Sequence, residues 1–237
     1  MEINWESQVL SSVSKVIPKL SCLEIDIDKL HKVAAELSED SFSINYAGNT
    51  NTVPKEYIRK TMFINTLNFV FTDFLTSVKY KIENYSDTDA MVYQIDKALD
   101  EGIPLTQGRF MRDMNLQEFK RLFTGNIEMP MADEKVEILN NVGDILVTKY
   151  GGDWINFIDD GPKKLYDNGK GLVERLVRDF KRFDDHSIFE NEKVYFLKLA
   201  QLAFWGIHRE LSKRYFYIED MENMTAFADY IIPVALE

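Results

Sequence analysis

The sequence predicts an all-α fold in one globular domain spanning residues 1–237. Apolar residues recur at spacings of three and four along most of the chain, the signature of helices with one buried face. Proline near the starts and glycine past the ends bracket these segments. Segments that alternate with a period of two are too few for a sheet-based core. Hydrophobic residues make up 45% of the chain, enough for a substantial core, and the 6 Pro and 11 Gly leave no low-complexity stretch.

Each element has its own warrant. Residues 5–17 form a first helix closed near Pro18. Asp26 or Asp28 caps a second through Leu37, where Leu30, Val33, Ala34 and Leu37 share a face. "FSINYAGNTNTV" at 42–53 reads as a loop with room for a short strand at Phe42–Tyr46. Pro54 opens a long, very apolar helix to about Val78, which predicts a central, buried element. A helix at 88–101 ends at Gly102, with Pro104 beyond. Asn115 and Glu118 pair as a cap for "LQEFKRLF". A helix at 131–149 stops at Gly151-Gly152, and shorter ones follow at 153–159 and 170–182. The segment 191–212 is a strong amphipathic helix, Tyr215–Ile218 a short strand or link, and a last helix runs from Glu219 to before Pro233.

Composition excludes several classes. With 28 Lys and Arg against 39 Asp and Glu, the net charge is -11, a poor match to long nucleic acid. A small phosphorylated ligand needs only a few local cations. The lone Cys22 makes no disulfide framework, the N-terminus does not read as a signal peptide, and no apolar run is long enough to span a bilayer. The expectation is a cytoplasmic protein without a membrane partner. His31, His186 and His208 are too scattered for a metal site, so neither metal nor cofactor is expected. P-loop, dinucleotide-binding and serine-hydrolase motifs are absent.

What stands out is polar residues set in apolar segments. Asn65 and Asn68 share a helix face, beside Phe69 and Phe71. Each is either a structural amide or, for Asn68, a reader of a base edge with an aromatic stacking face beside it. Lys198 and Gln201 interrupt an apolar stripe. The lysine either snorkels to the surface or reaches a buried carboxylate or a phosphate. Asp229 lies between Phe227 and Tyr230 in a stretch that is otherwise uncharged. It is either a structural ion pair or cap, or an anion placed to stabilise a developing cation, as in glycosidic cleavage.

Five stretches in order, "INTLNFVF" (64–71), "ALDEGIPLT" (98–106), "VEILNNVGDILVTKYGGDWINFI" (136–158), "FLKLAQ" (196–201) and "MTAFADYIIP" (224–233), resemble the queuosine 5′-phosphate N-glycosylase/hydrolase family of queuosine salvage proteins. That family has an all-helical fold similar to helix-hairpin-helix DNA glycosylases. It releases the 7-deazaguanine base queuine, a tRNA-modification precursor, from queuosine 5′-phosphate. The resemblance implies that Asp229 is the catalytic acid of the "ADY" motif and that Lys198 is the lysine of the "KRAQ"-type motif near the ligand, holding Asp229 ionised or binding the 5′-phosphate. It places Asn68 and Phe69 on the base-binding side. Phe71, Gln201, Phe227 and Tyr230 join them as candidate ligand contacts, and Arg214 as a candidate phosphate contact. The chain departs from the family pattern at Thr72, Leu199, Gly206 and His208, and it stops four residues after Pro233, where members commonly continue. A non-catalytic helical binding protein and a glycosylase for another nucleoside are the rival readings.

Overall fold

A computed structural model describes residues 7–21, 24, 26–36 and 53–229. Among the described residues the molecule is mainly helical, with two small antiparallel hairpins. The helices are α1 (Gln8–Val16), α2 (Ile27–Glu36), α3 (Pro54–Leu67), α4 (Asp87–Asp100), α5 (Gly108–Arg112), α6 (Leu116–Leu122), α7 (Ala132–Tyr150), α8 (Trp154–Asp159), α9 (Leu172–Asp179) and α10 (Lys198–Leu211). The strands are β1 (Lys81–Ile82) and β2 (Tyr85–Ser86), then β3 (His186–Phe189) and β4 (Glu192–Tyr195). The expected strand at Phe42–Tyr46, the end of the second helix at Leu37, Cys22 and Tyr230 lie outside the described residues.

Most caps and stops follow the expected chemistry. Asp26 Oδ1 accepts the Lys29 N–H at 2.8 Å ahead of α2, and Asn115 Oδ1 accepts the Glu118 N–H at 3.0 Å ahead of α6. Gly102 ends α4 at φ +78° and Gly151 ends α7 at φ +60°, left-handed positions that suit glycine. α7 is the central helix. It crosses α5 so closely that a Cβ on Gly143 would lie 2.2 Å from the Arg112 backbone nitrogen. The core beneath α7, α8 and α9 is aromatic: Trp154, Phe157 and Phe180 are fully buried, and Tyr150 packs edge-on to Phe157 with ring centroids 5.2 Å apart. α3 packs along α10.

Three expectations are corrected. The helix from Pro54 ends at Leu67 rather than near Val78. At and beyond its end, side chains take the backbone carbonyls: Arg182 Nε donates to Thr66 O at 2.7 Å, and Lys135 Nζ donates to Phe69 O at 2.7 Å and Val70 O at 3.0 Å. Val70 turns left-handed at φ +43°, and the chain continues as a loop around Asp73 closed by a Thr72–Lys79 bridge. The segment 191–212 divides. Glu192–Tyr195 is strand β4, paired with β3 through a two-residue turn at Glu190-Asn191, where both residues have positive φ. Only Lys198–Leu211 is helical. The helix expected from Glu219 is a single 3-10 turn at Met221–Asn223, followed by non-helical chain through Asp229. Tyr215–Ile218 is a link, the second of its two expected forms, and not a strand.

Candidate active site

The site is built on the first turns of α10. Leu197 enters the helix left-handed at φ +51°, a conformation that costs a non-glycine residue about 1–2 kcal/mol, and so places Lys198 at the first helical position. A cation there opposes the positive end of the helix dipole by about 0.3–1 kcal/mol. The Lys198 ammonium forms an ion pair with the Asp229 carboxylate, 31 residues further along the chain. Their side chains are 29% and 24% exposed, so the pair lies at the surface of the core, reachable by a ligand.

Gln201, one turn on, is fully buried. Its Nε2 donates to Thr225 Oγ1 at 2.9 Å and to Phe196 O at 3.3 Å, and its Oε1 accepts the Thr225 N–H at 2.9 Å. Expected as a ligand contact, it is committed to the protein. Phe227 meets the Trp205 ring edge-on at 5.8 Å, and the Arg209 guanidinium lies 4.2 Å from the same indole. Arg214 sits past the far end of α10, about 20 Å along the axis from Lys198 by helical rise, and bonds Glu210 at 3.1 Å. The structure does not bring it to the pair.

The second group of expected residues lies where α3 ends. Asn68 is the C-cap of α3, and its Oδ1 accepts the Thr88 hydroxyl at 2.9 Å. The Phe69 ring has the Lys135 ammonium 4.0 Å and the Arg182 guanidinium 4.4 Å from its centroid. Phe71 lies 5.3 Å from the same ammonium. Lys135 has no exposed surface, and it donates to three carbonyls, those of Phe69, Val70 and Pro130. Burial pushes its ammonium down to about 7, and the Arg182 charge adds to the push. The carbonyl acceptors and the ring faces act the other way and favour the charged form. Burial likewise lowers Arg182 to about 10. Among the described residues no group of three or more His, Cys, Asp or Glu side chains is arranged to hold a metal ion. A cleft of about 580 Å³ is lined by Glu56, Arg59, Asp100, Gln107 and Asp153, and not by Lys198 or Asp229.

Lys135, Thr225 and Trp205 were not singled out by sequence reasoning. The first two carried a legible pattern. Lys135 is on one face with Leu139, Val142 and Leu146, all buried, so a lysine occupied a core position in plain view. Thr225, Phe227 and Asp229 alternate with Ala226 and Ala228, a period of two that a helix cannot present on one face.

Residues 49–237, which include both groups, match the family described as "Queuosine salvage protein". The chain belongs to the queuosine salvage protein family. Its relatives include three proteins named queuosine 5′-phosphate N-glycosylase/hydrolase. The one from Mus musculus is 29% identical over 182 residues, 73% of this chain and 52% of its own length. That from Schizosaccharomyces pombe is 29% identical over 168 residues, 68% of this chain and 47% of its own. That from Sphaerobacter thermophilus is 22% identical over 237 residues, 96% of this chain and 71% of its own. The chain thus spans about half the length of the mouse and yeast relatives.

Proposed function

We propose that this queuosine salvage family member is an N-glycosyl hydrolase that releases queuine from queuosine 5′-phosphate, acting as one helical domain akin to helix-hairpin-helix glycosylases. The observation that carries the reading is the Lys198–Asp229 pair, a partly exposed carboxylate held by a lysine inside the region that matches the family. The relatives' printed name supplies the substrate and the bond.

Cleavage of an N-glycosidic bond builds positive charge on the anomeric carbon. Asp229 would face that carbon and stabilise the oxocarbenium-like state. Lys198 holds the carboxylate in place before substrate arrives, so little reorganisation is needed at the moment of reaction. Asn68, with its Oδ1 engaged by Thr88, would offer its Nδ2 hydrogens to an acceptor on the base edge. Phe69, Phe71 and Phe227, all partly exposed, would offer ring faces to a flat base, Phe69 with two cations already against its ring. A 7-deaza base has no N7 to protonate, so activation of the leaving group falls to another ring position. The proposal includes a small-molecule nucleotide as the partner, no long nucleic acid, and a cytoplasmic location. No helix among the described residues is long and apolar enough to cross a membrane.

The test is product analysis. Protein incubated with queuosine 5′-phosphate should yield free queuine and ribose 5-phosphate in equal amounts by chromatography and mass spectrometry. Intact substrate after prolonged incubation with folded protein would overturn the reading.

A further inference from the structure

We infer that Met224–Asp229 is a strap docked on one face of α10, and that Gln201 and Trp205 are positioning residues that set where the Asp229 carboxylate lies. The role rests on the activity proposed above. The observation is that alternate residues of one non-helical segment each contact a residue of one face of α10, Lys198, Gln201 and Trp205 being three, four and seven apart. Here Thr225, Phe227 and Asp229 meet Gln201, Trp205 and Lys198, while Ala226 and Ala228 point outward and are exposed.

The contacts differ in kind. Gln201 fixes the strap by hydrogen bonds: its Oε1 holds the Thr225 backbone N–H at 2.9 Å and accepts the Thr225 hydroxyl at 3.1 Å. The Gln201 end of that junction is fully buried, which limits competition from water. Trp205 fixes it by shape, with Phe227 edge-on to the indole and Arg209 also against that ring. Lys198 fixes the end by charge. Gln201 already bonds Thr225 through both ends of its carboxamide and Phe196 through one, so it serves the site through the strap rather than by touching substrate. Displacing the strap moves the carboxylate relative to the sugar, and a misplacement near 1 Å can cost on the order of 100-fold in rate.

The experiment pairs kinetics with amide exchange. Gln201→Met keeps the volume and removes the carboxamide; Thr225→Val keeps the shape and removes the hydroxyl; Thr225→Ser restores the hydroxyl. The inference expects kcat for queuine release to fall roughly 10- to 100-fold in Gln201→Met, with KM within about twofold. Turnover in Thr225→Ser should exceed that in Thr225→Val, and the Thr225 amide should exchange faster in Gln201→Met. Helix content by circular dichroism separates this from unfolding, and Thr225→Val leaves α10 untouched if Gln201→Met does not fold. Wild-type kcat in Gln201→Met, or a raised KM with kcat unchanged, overturns the positioning role. A wild-type protein that releases no queuine overturns the activity itself, which is a different outcome.

Discussion

Lys135 shows what one side chain can do to an element. Its ammonium takes the carbonyls of Phe69, Val70 and Pro130, and so holds Val70 at a positive φ that costs about 1–3 kcal/mol. Lys135→Met would bury a similar volume and leave three carbonyls without a donor. It should destabilise the protein by about 3 kcal/mol in urea unfolding, with the Phe69–Phe71 segment the first to lose amide protection. Asp179 gives the pH dependence at this scale. Burial raises its carboxyl, but hydrogen bonds from Arg178, Tyr150 and Lys149 outweigh that and hold it down to about 2. The folded pKa is below the unfolded one, so its contribution is complete above pH ~4 and is lost as pH falls towards 2. A shift of that size is worth about 2 kcal/mol for a side chain that is 7% exposed. Asp179→Asn should flatten the acid limb of a stability-against-pH curve in that window. Polar residues in apolar segments are readable singly in the sequence, and Asp229 is the natural candidate for the carboxylate that Lys198 reaches, but spacing does not join them. The two are 31 residues apart.

Elements were legible where their own residues decide them. Helices α4, α6, α7 and α8 lie within a residue or two of the sequence reading, because Gly102, Asn115, Gly151 and Asp153 punctuate them locally. The errors came where distant side chains compete for the backbone. α3 stops early because Arg182 and Lys135 capture the carbonyls that would have continued it. The Glu190-Asn191 turn hid inside an apolar stretch that also suits a helix, and the strap after Asn223 follows a period of two that was read as helical. The α5–α7 crossing is the element most sensitive to a single atom. Gly143→Ala puts a methyl 2.2 Å from the Arg112 nitrogen and 2.6 Å from the Gly108 carbonyl oxygen, so the two helices must separate. The expected loss is about 3 kcal/mol, the upper end for overpacking, seen as a lowered Tm; a Tm equal to wild type would mean that α5 can shift without cost.

At the scale of the whole molecule, the proposed partner is a mononucleotide rather than a nucleic-acid polymer. A net charge of -11 is a poor match to a phosphate backbone, so the proposal expects intact tRNA to show no saturable binding in a filter assay at physiological salt and the mononucleotide to be turned over. Saturable tRNA binding would move the substrate from nucleotide to polymer. The all-α class followed from periodicity alone; the site did not, because it is assembled from α10 and a strap that only folding brings together. On the proposed mechanism, bond cleavage depends on Asp229. The measurement that tests it most directly is single-turnover release of queuine from queuosine 5′-phosphate by Asp229→Asn beside wild type, with Tm recorded for both. The account predicts a rate lower by on the order of 10³-fold in a variant that remains folded. A folded Asp229→Asn protein that releases queuine at the wild-type rate would contradict it.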